Sequence, residues 1–263
     1  MGEVMSRLGA FAAVLTAAVM CLAGTTTAWA GETVTILHAA FTPDKLGSPT
    51  NVSGEAKIVS DIPGEIPTPI VGTTLEGPAG LTLDLKGTGT CTEAILLSQA
   101  GPEGCPKNSI AGFGGGTGAL RLGTQIIEEP FTLDFFLGDN HPNHTVLLIY
   151  LNAVSPVSVQ IVFTAVIEKE PPPYGLGFHV NIPLIPTLPG ASDATALSVH
   201  ISIGAPNVFY YTKVHGKRKR LHVKGIVLPK TCPKGGFPAK TVLNFQDGTN
   251  SENKFTIPCP KKK

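Results

Sequence analysis

Through much of this chain apolar and polar residues take turns. Val157, Val159, Ile161, Phe163 and Ala165 fall on one side of such a stretch, with Ser158, Gln160 and Thr164 on the other, the period of a strand with one buried face. Leu197, Val199, Ile201 and Ile203 oppose Ser198, His200 and Ser202, and Leu81, Leu83 and Leu85 oppose Thr82, Asp84 and Lys86. Shorter stretches at 34 to 37, 53 to 59, 131 to 137, 145 to 151, 178 to 182, 224 to 228, 240 to 245 and 254 to 257 predict further strands. Gly and Pro punctuate them at Pro63-Gly64, Gly77-Pro78, Pro171-Pro172-Pro173, 183 to 189 and 204 to 206, leaving no periodic stretch long enough for a major helix. The pattern predicts an all-β fold: an antiparallel β-sandwich with a disulfide-closed C-terminal β-meander and at most one short helix. That helix is expected at 92 to 99, begun by Cys91 or Thr92 and burying Ile95 and Leu96. Asp247-Gly248 has the composition of a tight hairpin turn between the last two strands.

The first thirty residues change the compartment. An apolar run from 8 to 24 behind Arg7 leads to Ala28-Trp29-Ala30, the layout of a secretory signal peptide spanning 1 to 30. The mature chain then begins near Gly31 and is secreted, extracellular or held at the cell surface. The residues before Cys21, Ala18-Val19-Met20, lack the Leu and small residue that lipoprotein processing would use. No later stretch reaches the roughly 18 consecutive apolar residues of a membrane-spanning helix.

Export makes Cys91, Cys105, Cys232 and Cys259 structural disulfide cysteines. Of the three pairings available, Cys91 with Cys105 and Cys232 with Cys259 is favoured because each closes a local loop. Closing loops of that size stabilises by about 3 to 4 kcal/mol each in the chain-entropy picture.

Charge divides the mature chain. Residues 31 to 210 carry six basic against sixteen acidic side chains, and residues 211 to 263 thirteen against two. We therefore read 31 to 210 as an acidic β-sandwich body and 211 to 263 as a basic C-terminal β-subdomain packed on the same sandwich. Lys217, Arg218, Lys219 and Arg220 crowd the tip of an expected hairpin. They are the candidate polyanion-binding residues, suited to an anionic envelope polymer or lipid head groups. Nucleic acid is not an expected partner outside the cell. Two structural roles compete: neutralising the acidic body, and guarding an exposed sheet edge with lysines.

Catalytic and cofactor chemistry find little footing. There is no G-x-S-x-G elbow, and no free cysteine remains once both disulfides form. The glycine run from 112 to 118 lacks the Lys-Ser or Lys-Thr of a phosphate loop; its expected use is close backbone approach. Asp139, His141 and His144 have a proline among them and no helical spacing, so no metal centre is expected there. His179 and His200 face outward on their strands and would become neighbours only if those strands paired. Glu128 and Glu129 would point to opposite faces of an extended strand, which argues against shared proton chemistry. Asp84 and Asp134 occupy matching places in the similar segments Thr82-Leu83-Asp84-Leu85 and Thr132-Leu133-Asp134-Phe135. They are the one carboxylate pair a hydrolase reading would use. Sugar recognition would lean on Tyr210-Tyr211, since Trp29 leaves with the signal peptide.

Phe41-Thr42-Pro43-Asp44-Lys45-Leu46-Gly47, the stretch from Leu228-Pro229-Lys230-Thr231-Cys232 to Pro238, and Ile257-Pro258-Cys259-Pro260 resemble signatures of secreted β-rich proteins of high-GC Gram-positive bacteria, a group with no assigned activity. The resemblance implies an exported bacterial protein with structural cysteines, and brings no catalytic residue with it. The expectation is a secreted, non-catalytic protein associated with the envelope through its basic segment. The alternatives are an extracellular hydrolase whose site is assembled from distant residues, and a sandwich that carries a small ligand in an apolar interior.

Overall fold

The computed structural model describes residues 31 to 260 apart from 186, 188 and 205 to 207. Residues 1 to 30, where a signal peptide is expected, and the terminal lysines 261 to 263 lie outside the described residues. Eleven strands form one antiparallel sheet. In chain order its members begin with β1 (Glu32–Thr42), β2 (Asn51–Ser60) and β3 (Ile70–Pro78). After β4 (Thr82–Asp84), which lies outside it, follow β5 (Ile110–Leu122), β6 (Gln125–Asn140), β7 (Thr145–Ala153), β8 (Val159–Lys169), β9 (Tyr174–Asn181) and β10 (Thr195–Ile203). Then come β11 (Phe209–Val214), β12 (Lys217–His222) and β13 (Gly225–Val227), again outside the sheet, and finally β14 (Phe237–Phe245) and β15 (Asn250–Ile257) within it. Across the sheet the order is β1-β2-β10-β5-β6-β7-β8-β9-β3-β14-β15. The edge strands β1 and β15 come to lie side by side. The antiparallel sandwich is thus a single sheet curled round until its two edges lie together, with its apolar face turned inward.

Alternation decides which residues go inside. Leu133, Phe135 and Leu137 of β6, Leu147, Ile149 and Leu151 of β7, and Phe163 and Ala165 of β8 form the central core. Two further clusters sit at the ends. Val34, Ile58, Leu243 and Phe245 pack at one, and Phe41, Leu81, Leu228, Phe237 and Ile257 at the other. A two-stranded ribbon of β4 and β13 lies across the second end. It is sewn to the β1–β2 connection by Thr50 N–H to Ile226 O (2.9 Å) and Leu228 N–H to Ser48 O (3.0 Å). β13 lies apart from β14 and β15, which form a hairpin turning at Asp247-Gly248.

Both local disulfides are present, Cys91–Cys105 and Cys232–Cys259. The first pins a helical excursion, α1 (Glu93–Leu96), whose N-cap Thr92 accepts a hydrogen bond from Ile95 N–H. Leu96 and the two sulfurs cover Phe136, Leu148 and Tyr150 on the outside of β6 and β7. β7 is therefore buried on both faces, which explains why its sequence reads as a continuous apolar run.

The glycine run predicted to serve close approach lies within β5. A Cβ at Gly112, Gly114 or Gly116 would run into the carbonyl oxygens of Ser202, His200 or Ser198 on β10, and the Phe131 ring lies against Gly116. Side chains there would push β5 and β10 apart. Gly116→Ala is expected to cost about 3 kcal/mol of folding stability. Gly118→Ala, whose Cβ would sit 3.3 Å from Thr195 O, should cost clearly less; denaturant unfolding of the two variants measures the difference.

Candidate functional site

The curled sheet does not fill its own interior. Between the two end clusters lies a cavity of about 360 Å³, at the lower end of the range that small-molecule sites occupy. Its wall is almost wholly apolar, with Leu133, Phe135, Ile149, Leu151, Phe178, Val199 and Ile201 among the residues lining it. The connection between β9 and β10 contributes Ile182, Pro183, Leu184 and Ile185. Leu184 is 41% exposed and stands at the rim.

Two polar side chains reach this wall without their full complement of partners. Glu129 shares the inward side of β6 with Phe131 and Leu133 and is only 7% exposed. Its Oε2 accepts a hydrogen bond from Val157 N–H at 3.2 Å, while its Oε1 is buried with no hydrogen-bond partner among the described residues. The Thr241 hydroxyl on β14 is likewise buried and unpaired. Glu128 is exposed on the opposite side of β6, as alternation requires. The sequence did carry the signal for Glu129, since Ile127, Phe131 and Leu133 set the inward parity. A lone acidic residue in that register gave no hint that the interior beside it is hollow.

β11 and β12 form the basic hairpin outside the main sheet, pairing Phe209 with His222, Tyr211 with Arg220 and Lys213 with Arg218. One face is anchored: the Tyr210 ring rests on Gly87, where φ of +82° and the ring itself both exclude a side chain. The other face is exposed. There the Arg218 guanidinium lies 4.1 Å from the centre of the Tyr211 ring and Arg220 3.5 Å from that of Phe209. Register divides the four candidate cations, setting Arg218 and Arg220 on the aromatic face and Lys217 and Lys219 on the other. Part of the basic segment does answer the acidic body. Lys224 Nζ pairs with Asp84 Oδ2 at 2.9 Å, and Lys240 with Glu76 Oε1 at 2.6 Å.

No family model, curated protein or solved structure matches this chain.

The remaining candidates are dispersed. His179 and His200 do not meet, because β9 runs between β8 and β3 while β10 runs between β5 and β2. His200 instead stands opposite Glu55 in register. His179 Nε2 faces Glu170 Oε1 at 2.6 Å and Glu168 Oε1 at 3.6 Å, with the Thr74 hydroxyl 3.3 Å from Nδ1. Gly177 beneath them leaves the room this needs. Glu168, Glu170 and His179 offer atoms within 4.8 Å of one another and are the described residues best arranged to hold a metal ion. They equally form a side-chain cluster in which both ring nitrogens of His179 already have polar neighbours. The His141 and His144 rings stack 4.6 Å apart in the β6–β7 turn.

Asp84 and Asp134 have no hydrogen-bond or charge partner in common among the described residues. The Lys224 ammonium, with the Lys86 backbone N–H, holds Asp84 below the usual carboxylate range. Burial, helped by the charge of Glu103, pushes Asp134 above it, and Asp134 lies opposite Tyr150 on β7. A folded-state value above the unfolded one means that ionising Asp134 opposes folding, so its cost appears as pH rises through that interval. Asp134→Asn should therefore raise stability at neutral pH, and the gain should vanish below the ordinary aspartate range. Thermal unfolding of variant and parent from acid to neutral pH checks both halves.

Proposed function

We propose that this chain is a secreted, non-catalytic binding protein that carries a small apolar molecule inside its curled sheet. The observation that carries the reading is the apolar cavity of about 360 Å³, because an apolar hollow of that size forfeits packing that side chains would otherwise supply. Export is supported by the sequence of residues 1 to 30 and by the two disulfides. An uncharged naphthalene dye whose emission rises on leaving water should bind the mature protein saturably, one per chain. Leu151→Trp, which fills the wall from β7, should weaken it by about tenfold or more. Emission that climbs without saturating, or that Leu151→Trp leaves unchanged, would remove the interior as the site.

A second reading is favoured by the aromatic face of the β11–β12 hairpin. Arg218 and Arg220 stacked on Tyr211 and Phe209 offer fixed positive charge beside exposed rings, a combination suited to an anionic surface with an apolar layer beneath it. Envelope association through this hairpin is compatible with carriage inside the sheet. The protein should co-sediment with phosphatidylglycerol vesicles at low salt and release as salt rises, while phosphatidylcholine vesicles leave it in solution. Replacing Lys217, Arg218, Lys219 and Arg220 together by Gln should abolish sedimentation; retention of binding would dismiss the hairpin.

A further inference from the structure

We infer that the cavity selects an apolar molecule with a cationic amine at one end, and that the Glu129 carboxylate receives it. The inference rests on the carrier reading above and names the chemistry of its ligand. Glu129 projects from β6 toward the interior, is more than nine-tenths buried, and borders the cavity. Only one of its oxygens is satisfied, by the Val157 N–H on the β7–β8 connection. The other, Oε1, is buried without a partner among the described residues. A carboxylate oxygen left so costs the fold several kcal/mol unless something donates to it.

The protein brings no cation of its own to that oxygen. Lys240 is the one lysine or arginine among the described residues bordering the cavity, and its ammonium is held by Glu76 at 2.6 Å. Glu76 and Lys240 stand opposite each other in register, on the side of their strands away from Leu75, Thr241 and Leu243. The donor to Glu129 Oε1 therefore comes from the ligand. An alkyl or ring body replaces the missing packing along the apolar wall, and the head completes the carboxylate. An ammonium head does this best, since a charge-assisted hydrogen bond inside a low-dielectric enclosure is the strongest on offer. A hydroxyl donates more weakly. A carboxylate head brings like charge against Glu129 and is disfavoured.

Competition for the bound naphthalene dye by a matched series tests this directly: dodecylamine, dodecanol and dodecanoate, each below its micelle-forming concentration. The wild-type protein should release dye to the amine at a concentration about tenfold or more below that needed for the alcohol, with dodecanoate weakest. Glu129→Gln should erase the advantage of the amine and leave dodecanol unchanged. Glu128→Gln, on the outer side of the same strand, should preserve that advantage, which separates the buried carboxylate from a general attraction to acidic surface. Equal displacement by amine and alcohol in the wild type, or preference for dodecanoate, overturns the assignment of the head group while leaving the carrier reading intact. An amine preference that survives Glu129→Gln overturns the role of Glu129. Failure of the dye to bind saturably removes the carrier reading and this inference with it. The wild-type ranking decides the ligand class even where Glu129→Gln folds poorly.

Discussion

An antiparallel sheet with one apolar face removes that face from water only by covering it, and this sheet covers its inner face with itself. Curling eleven strands until β1 lies beside β15 sets neighbouring backbones close together, most tightly along β5. Gly112, Gly114 and Gly116 let the backbone of β10 approach where any Cβ would collide with a carbonyl oxygen. The same closure explains the hollow. Barrels of about eight strands are just wide enough for their own side chains to fill; eleven strands enclose more, and a hollow is left beside the central cluster. Phe41, Phe237 and Leu228 close one end and Val34, Ile58 and Phe245 the other. What remains between them is apolar, apart from a few groups such as Glu129 and Thr241.

The two ends of the molecule are built differently. Beyond β10 the chain leaves the sheet as the β11–β12 hairpin, returns through β13 to lie across the end it has just left, and re-enters as β14. Lys224 at the foot of the hairpin grips Asp84 on β4, so the basic segment is tied to the body at its base and free at its tip. Leu184, on the cavity rim, belongs to the connection that leaves β9 at the opposite end. A surface held by the hairpin would leave the Leu184 rim facing away from it.

Much of the architecture was legible in the sequence because strand alternation and local loops are short-range properties. The hairpin around 215 and 216, the turn at Asp247-Gly248, the Thr92-capped helix and both disulfides each depend on residues close together in the chain. Less legible were strands whose composition argues against them. β5 reads as a glycine loop because side chains there would collide with its neighbour, and β3 carries Gly77 where it leaves room for Leu81. The cluster of Glu168, Glu170 and His179 was also hidden, since it arises from cross-strand register between β8 and β9 over a side-chain-free Gly177.

The sequence by itself determined that this chain is all-β, which face of each strand is apolar, where its cysteines close local loops, and that its basic charge gathers after residue 210. These follow from spacing, and spacing is written in the chain. Only the tertiary structure decided that Asp84 and Asp134 have separate neighbours, that His179 meets Glu170 while His200 faces Glu55, and that Arg218 and Arg220 share a face from which Lys217 and Lys219 are turned away. It alone decided that the inward Glu129 borders a hollow, because alternation assigns a side chain to a face and says nothing of how far away the opposite wall stands. That distance is set by the number of strands and the bend between them, a property of the closed sheet that no strand possesses alone.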